Sequence, residues 1–184
     1  MKHGGRHFEF GRLVAVVVWL GGALSLSAGP FGEDSIFEKL TGDWEARGKL
    51  TNNDGSITEV RETWTGKRES DTAFEASGTR VFDEQDPHTF TWRYLYNPTT
   101  ELIECEMTMS TQDQPIRFEV QVSDAAGTVS MKAPLDADGS ELRIINEIKD
   151  DKIVGTVTIT DANGNQTVSG TVEHRRPGGW ETRE

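Results

Sequence analysis

The chain has 184 residues, with 31 acidic against 19 basic side chains and a formal net charge of −12. Such a surface repels phosphate backbones and anionic membrane faces, which argues against nucleic acid and lipid surfaces as partners. Its one cysteine, Cys105, excludes an internal disulfide, so a core must hold the fold.

The first twelve residues carry Lys2, Arg6 and Arg12 against Glu9. An apolar run from Leu13 to Leu24 follows, then small residues from Ser25 to Ala28. A positive start, a short apolar centre and a small-residue exit predict a secretory signal peptide over 1–28, cleaved after Ser27 or Ala28. The apolar centre is shorter than the roughly 20 residues that span a bilayer, so no stable membrane insertion is expected after cleavage. The expected location is periplasmic or extracellular.

Residues 29–42 read as a linker and a short helix. Asp34 is placed to cap that helix, with Ile36, Phe37 and Leu40 on one side. From Trp44 onward the apolar period becomes two, most strictly in Ile116-Arg-Phe-Glu-Val-Gln-Val122. Alternation buries one face only, as antiparallel sheets allow. Ten strands are predicted: 43–51, 56–65, 72–82, 89–97, 100–109, 115–122, 127–133, 140–148, 152–160 and 166–175. Asp54-Gly55, Asp138-Gly139 and Asn163-Gly164 mark tight hairpins, and Asn97-Pro98 ends a strand. The connections are too short for parallel crossovers, so the chain reads as an all-β, up-and-down antiparallel meander. Closing it into a barrel over 43–176 removes two long edges. The tail, 177–184, reads as disordered, with Trp180 free or docked on a neighbour.

Inward parity selects apolar residues such as Trp44, Phe74, Trp92, Tyr94, Phe118 and Met131, together with the mid-strand glycines Gly48, Gly78, Gly155 and Gly170. Those glycines serve either sharply coiled strands or an internal hollow. Four polar residues share the inward parity: Glu62, Arg80, Asn146 and His174. One reading is a polar cluster that fixes the end of an amphipathic ligand; the other places these residues at the barrel mouth, or at a bulge near 57–60, in contact with water. With simple hairpins Arg80 falls near Trp92, and Glu62 one strand away.

The run Leu40-Thr-Gly-Asp-Trp44, set after a short helix and before the first strand, resembles the Gly-x-Trp entry of the lipocalins and the wider calycin superfamily. The ten-strand count resembles its fatty-acid-binding branch and bacterial exported lipocalin-like proteins with a Leu-x-Gly-x-Trp start. The resemblance implies that Trp44 packs at the closed end of the barrel, under the helix, with Arg175 or Arg176 laid across its ring as a lid.

Catalytic signatures are absent from the sequence: it has no Gly-x-Ser-x-Gly, no His-Glu-x-x-His and no phosphate-cradling glycine loop. Asp136-Ala-Asp-Gly139 and Asp161-Ala-Asn-Gly164 lack the later ligands of calcium loops and read as turns. His88, in a polar stretch, reads as solvated, and His174 as structural rather than a haem ligand. Cys105, flanked by Glu104 and Glu106, reads as a buried apolar thiol. The expectation is a non-enzymatic barrel, without cofactor or metal, that binds a small, mainly apolar or amphipathic ligand. Its candidate cavity residues are Glu62, Arg80, Trp92, Tyr94, Asn146 and His174. The alternative is a structural or protein-interaction module with a filled core.

Overall fold

The computed structural model describes residues 29–180, so the predicted signal peptide lies outside the described residues. Ten strands follow one another: β1 (Gly42–Asn52), β2 (Ile57–Ser70), β3 (Ala73–Phe82), β4 (His88–Asn97) and β5 (Leu102–Met109). Then come β6 (Ile116–Ser123), β7 (Thr128–Pro134), β8 (Glu141–Ile148), β9 (Lys152–Thr160) and β10 (Gln166–Arg175). Each pairs antiparallel with its sequence neighbours, and β1 also pairs with β10, which closes the barrel. The closing seam runs from Glu45 opposite Arg175 to Asn52 opposite Val168.

Turn chemistry explains the hairpins. Gly55, Gly139 and Gly164 adopt φ of 83°, 93° and 80°, the region only glycine enters without steric cost. The carboxylates ahead of them are consumed locally. Asp136 Oδ1 accepts from the backbone N–H of Asp138 and Ser140, and Asp161 Oδ1 from those of Asn163 and Asn165.

The expected N-terminal helix is shorter than the pattern suggested. Successive turns lead into a single 3-10 turn, Glu38–Leu40, and Asp34 makes no cap. The orphan donor at Ile36 N instead reaches Asp124 Oδ1, 3.0 Å away in the β6–β7 hairpin. Lys39 pairs with Asp150 in the β8–β9 hairpin at 2.7 Å. Nor are residues 29–42 only a linker. Phe31, Ile36, Phe37 and Leu40 are buried and plug one end of the barrel. Phe37 packs edge-on to Phe31 (4.5 Å between centroids) and lies 5.3–5.4 Å from Tyr94 and Phe74. At the opposite end inward side chains such as Leu50, Phe82, Ile116 and Leu142 are only half-buried, so that end is the mouth.

Three further expectations change. The register is regular through 57–60, and the β2 irregularity falls instead between Arg68 and Ser70. His88 opens β4 half-buried opposite Arg80 rather than sitting in a loop. Residues 177–180 form a turn that returns Trp180 to the barrel's own wall, with the guanidinium carbons of Arg47 and Arg175 4.8 and 5.4 Å from its ring centroid. Residues 181–184 lie outside the described residues.

Candidate functional site

Between the plug and the mouth lies a cavity of about 110 Å³. Glu62, Arg80, Trp92, Tyr94, Asn146 and His174 all line it, with Trp64, Phe74, Phe90, Met131 and Ile144 among its apolar walls. The sheet register explains how residues 112 positions apart in sequence meet. Arg80 lies opposite Glu62, Glu62 opposite Ala46, and Ala46 opposite His174, so one row across β3, β2, β1 and β10 carries three polar side chains. Ala46, small and buried, separates Glu62 from His174 in that row, and the Glu62 charge still acts on His174.

Glu62 is buried, not set at the mouth, and accepts from Arg80 Nε at 2.6 Å. Arg80 is mostly buried too, its guanidinium 5.0 Å from the Phe90 ring centroid and Nη1 3.8 Å from Met109 Sδ. Trp92, expected beside Arg80, lies instead opposite Ala76. A buried carboxylate with a buried guanidinium at this distance is a self-neutralised pair, the condition under which charges persist inside a protein.

His174 accepts at Nδ1 from the indole Nε1–H of Trp64, 3.0 Å away. Because indole only donates, the neutral ring carries its proton on Nε2. Burial holds the His174 pKa below its usual value; Glu62 opposes that shift and Arg80 adds to it. A metal- or haem-ligating imidazole has the opposite polarity, donating from one nitrogen and binding through the bare other one. Among the described residues, no group of three or more His, Cys, Asp or Glu is placed to hold a metal ion.

The inward glycines divide by role. A Cβ on Gly78 or Gly170 would collide with the backbone carbonyl of Thr63 or Lys49, so these glycines permit close strand approach. Gly155 differs: a Cβ there would sit 2.8 Å from Asn146 Oδ1 and 3.8 Å from His174 Nε2. A side chain there would crowd Asn146, so glycine keeps the cavity wall beside Asn146 and His174 clear.

Below the cavity the lid arginine is Arg176. Its guanidinium carbon stands 3.8 Å from the Trp44 ring centroid, while Nη1 and Nη2 donate to the carbonyls of Thr41 (2.8 Å) and Lys39 (2.9 Å). Arg175 turns outward to Glu173 and Trp180. Period-two parity carried one step past His174 would have separated the two. Cys105 is buried, and burial raises its thiol pKa far above the usual range. It lies opposite Tyr94, whose hydroxyl reaches Met131 Sδ at 3.3 Å.

No family profile and no curated protein sequence matches the chain. Solved structures do. Rv2717c from M. tuberculosis is similar with a TM-score of 0.54 at 11% identity, over 75% of this chain and 92% of that one. The S-type phycobiliprotein lyase CPES from Guillardia theta gives 0.50 at 16% identity, over 76% and 89%. A de novo designed fluorescence-activating β-barrel gives 0.42 at 16% identity, over 76% and 94%. At these identities the likeness to the two natural proteins is one of fold.

Proposed function

We propose that the protein is an exported, non-enzymatic barrel of calycin type that binds a small, mainly apolar ligand in its interior. The observation that carries this reading is the cavity itself: apolar and aromatic walls, a mouth at one end, and a few polar groups converging at one level. Its size limits the ligand. Sites for drug-sized molecules run to roughly 300–1,000 Å³, whereas about 110 Å³ is nearer the roughly 150 Å³ core cavity that admits benzene. The occupant is a single ring or a short chain rather than a long fatty acid.

The calycin reading draws on the Gly42-Asp43-Trp44 entry, Arg176 across Trp44 and the closed ten-strand meander. Export rests on the charge and apolar pattern of residues 1–28. A filled-core module working through its surface is the second reading, favoured by the small cavity volume.

Native mass spectrometry of the protein recovered from its own host tests both claims. Loss of residues 1–28 and a small molecule released on unfolding are the expected results. A full-length mass would overturn export. An empty protein with no thermal shift across a panel of small apolar compounds would favour the filled-core module.

A further inference from the structure

Resting on the reading of the cavity as a ligand site, we propose that its ligand class is a small uncharged phenol, with the hydroxyl seated over Gly155 between His174 Nε2 and Asn146 Oδ1. Asn146, Gly155 and His174 line one stretch of the cavity wall, and the point a Gly155 Cβ would take lies 2.8 Å from Asn146 Oδ1, 3.4 Å from the Val172 carbonyl oxygen and 3.8 Å from His174 Nε2. Nδ1 is occupied by Trp64, so Nε2 carries a proton, and among the described residues nothing accepts it. Likewise no described residue donates to Asn146 Oδ1. A donor and an acceptor bordering one gap match a hydroxyl, whose single oxygen accepts from one and donates to the other. An ether or a ketone answers only the imidazole.

Charge is selected against by the same geometry. Among the described residues the only cation lining the cavity, Arg80, is already held by Glu62 at 2.6 Å, so a ligand carboxylate would find no unpaired partner among them and would face Asn146 Oδ1. Trp64, Phe74, Phe90, Trp92 and Tyr94 supply ring-sized aromatic walls.

The test titrates the purified protein with phenol, anisole, toluene and benzoate. The Trp64 and Trp92 indole N–H resonances and the His174 ring nitrogens are followed by NMR. Phenol is expected to bind at least as tightly as toluene, although its hydroxyl is the costlier group to take out of water. Anisole should bind about fivefold or more weaker than phenol, the loss of one donated bond, and benzoate should not bind. Asn146→Leu should weaken phenol about tenfold and leave toluene unchanged; the wild-type comparison stands whether or not that variant folds. Toluene about tenfold tighter than phenol, or any benzoate binding, would overturn the phenol proposal while leaving an apolar ligand site in place. Binding by none of the four would overturn both.

Discussion

Trp64 donates its indole proton to Nδ1 of His174 at 3.0 Å, and that bond decides which nitrogen of the imidazole faces the cavity as a donor. It also joins the site to the closed end of the barrel. Trp64 stacks on its cross-strand partner Trp44 at 5.6 Å and 17° between planes, and Arg176 covers the far side of Trp44. A column of four side chains thus runs from the plug to the cavity. Trp64→Phe keeps the stack and removes the donor. Leaving the buried imidazole nitrogen unpartnered should cost about 1–3 kcal/mol of stability. The ring nitrogens, read by NMR, should change from a single Nε2–H tautomer to a mixture. An unchanged tautomer would show that Trp64 does not set it.

Acid should destabilise the protein through His174. Its pKa in the folded state is depressed below the ordinary 6.5 by burial, with Glu62 opposing and Arg80 reinforcing the shift. Between the folded and unfolded pKa values the unfolded chain binds the extra proton, so stability is complete above about 6.5 and is lost as pH falls toward the lower folded value. Denaturant midpoints measured from pH 8 to pH 5 should fall, and His174→Phe should flatten that part of the slope. Equal slopes in both proteins would assign the acid sensitivity elsewhere.

The Glu62–Arg80 pair is predicted to be non-additive. Arg80→Met leaves a buried carboxylate without its partner, and Glu62→Leu strands a guanidinium among Phe82, Phe90 and Met109. Each single change should cost about 3–5 kcal/mol. The double change exchanges two charges for apolar volume and should cost less than either alone. Chemical denaturation of the four proteins checks this, and additive losses would mean that the two groups do not rely on each other.

Much of this architecture was legible in the strand pattern, and the reasons for the misses are physical. Period-two alternation and Asx-Gly turns locate ten strands to within about two residues, apart from β2, which runs on from the expected 65 to Ser70, because each side chain answers to a local rule. Glu62 and Arg80 come from adjacent strands, so hairpin logic brings them close. His174 joins them only through the seam between β1 and β10, whose register is set by closure of the whole barrel and leaves no local trace. Spacing grouped Phe37 with Ile36 and Leu40 on one side, but Phe31 belongs to irregular turns without a period, so its burial in the plug was invisible, as was the substitution of Asp124 for Asp34 as partner to the N-terminal turns. Parity identified Gly155 as inward but could not tell it from Gly78, because the difference lies in what stands opposite.

Cys105 offers a probe of opening. It is buried in the core opposite Tyr94 and Phe118, and desolvation raises its thiol pKa well above the usual range. The thiolate is the reactive form, so a thiol reagent at pH 8 should modify it slowly, at a rate set by opening of the barrel. The β5–β6 seam beside it is ladder-paired only from Glu104 and Glu119 to Met107 and Ile116, with two carboxylates directly opposed at one end. Like charges there favour local separation. Glu119 is held by Lys132 across β6–β7 at 2.8 Å, so Glu104→Lys, which sets an opposite charge against Glu119, should slow modification without a comparable change in global stability. Rapid modification of the native protein would contradict the burial of this thiol.

Arg176 should anchor the closed end by shape as much as by charge. Its planar fork spans two carbonyls, those of Thr41 and Lys39 at the end of the 3-10 turn, while its face lies on Trp44. A lysine keeps the charge but cannot make both bonds and the stack together. Arg176→Ala should cost about 1–2 kcal/mol, combining a charge-assisted bond and a partly exposed cation–π contact. Arg176→Lys should recover less than half of that loss. Equal stability of the lysine variant and the wild type would reduce the arginine to a point charge. If both variants loosen the plug, hydrogen exchange should rise first at the Trp44 indole N–H, which donates to Leu40 O at 3.0 Å. The outward Arg175→Ala should leave that proton protected, since Arg175 contacts Glu173 and Trp180 instead.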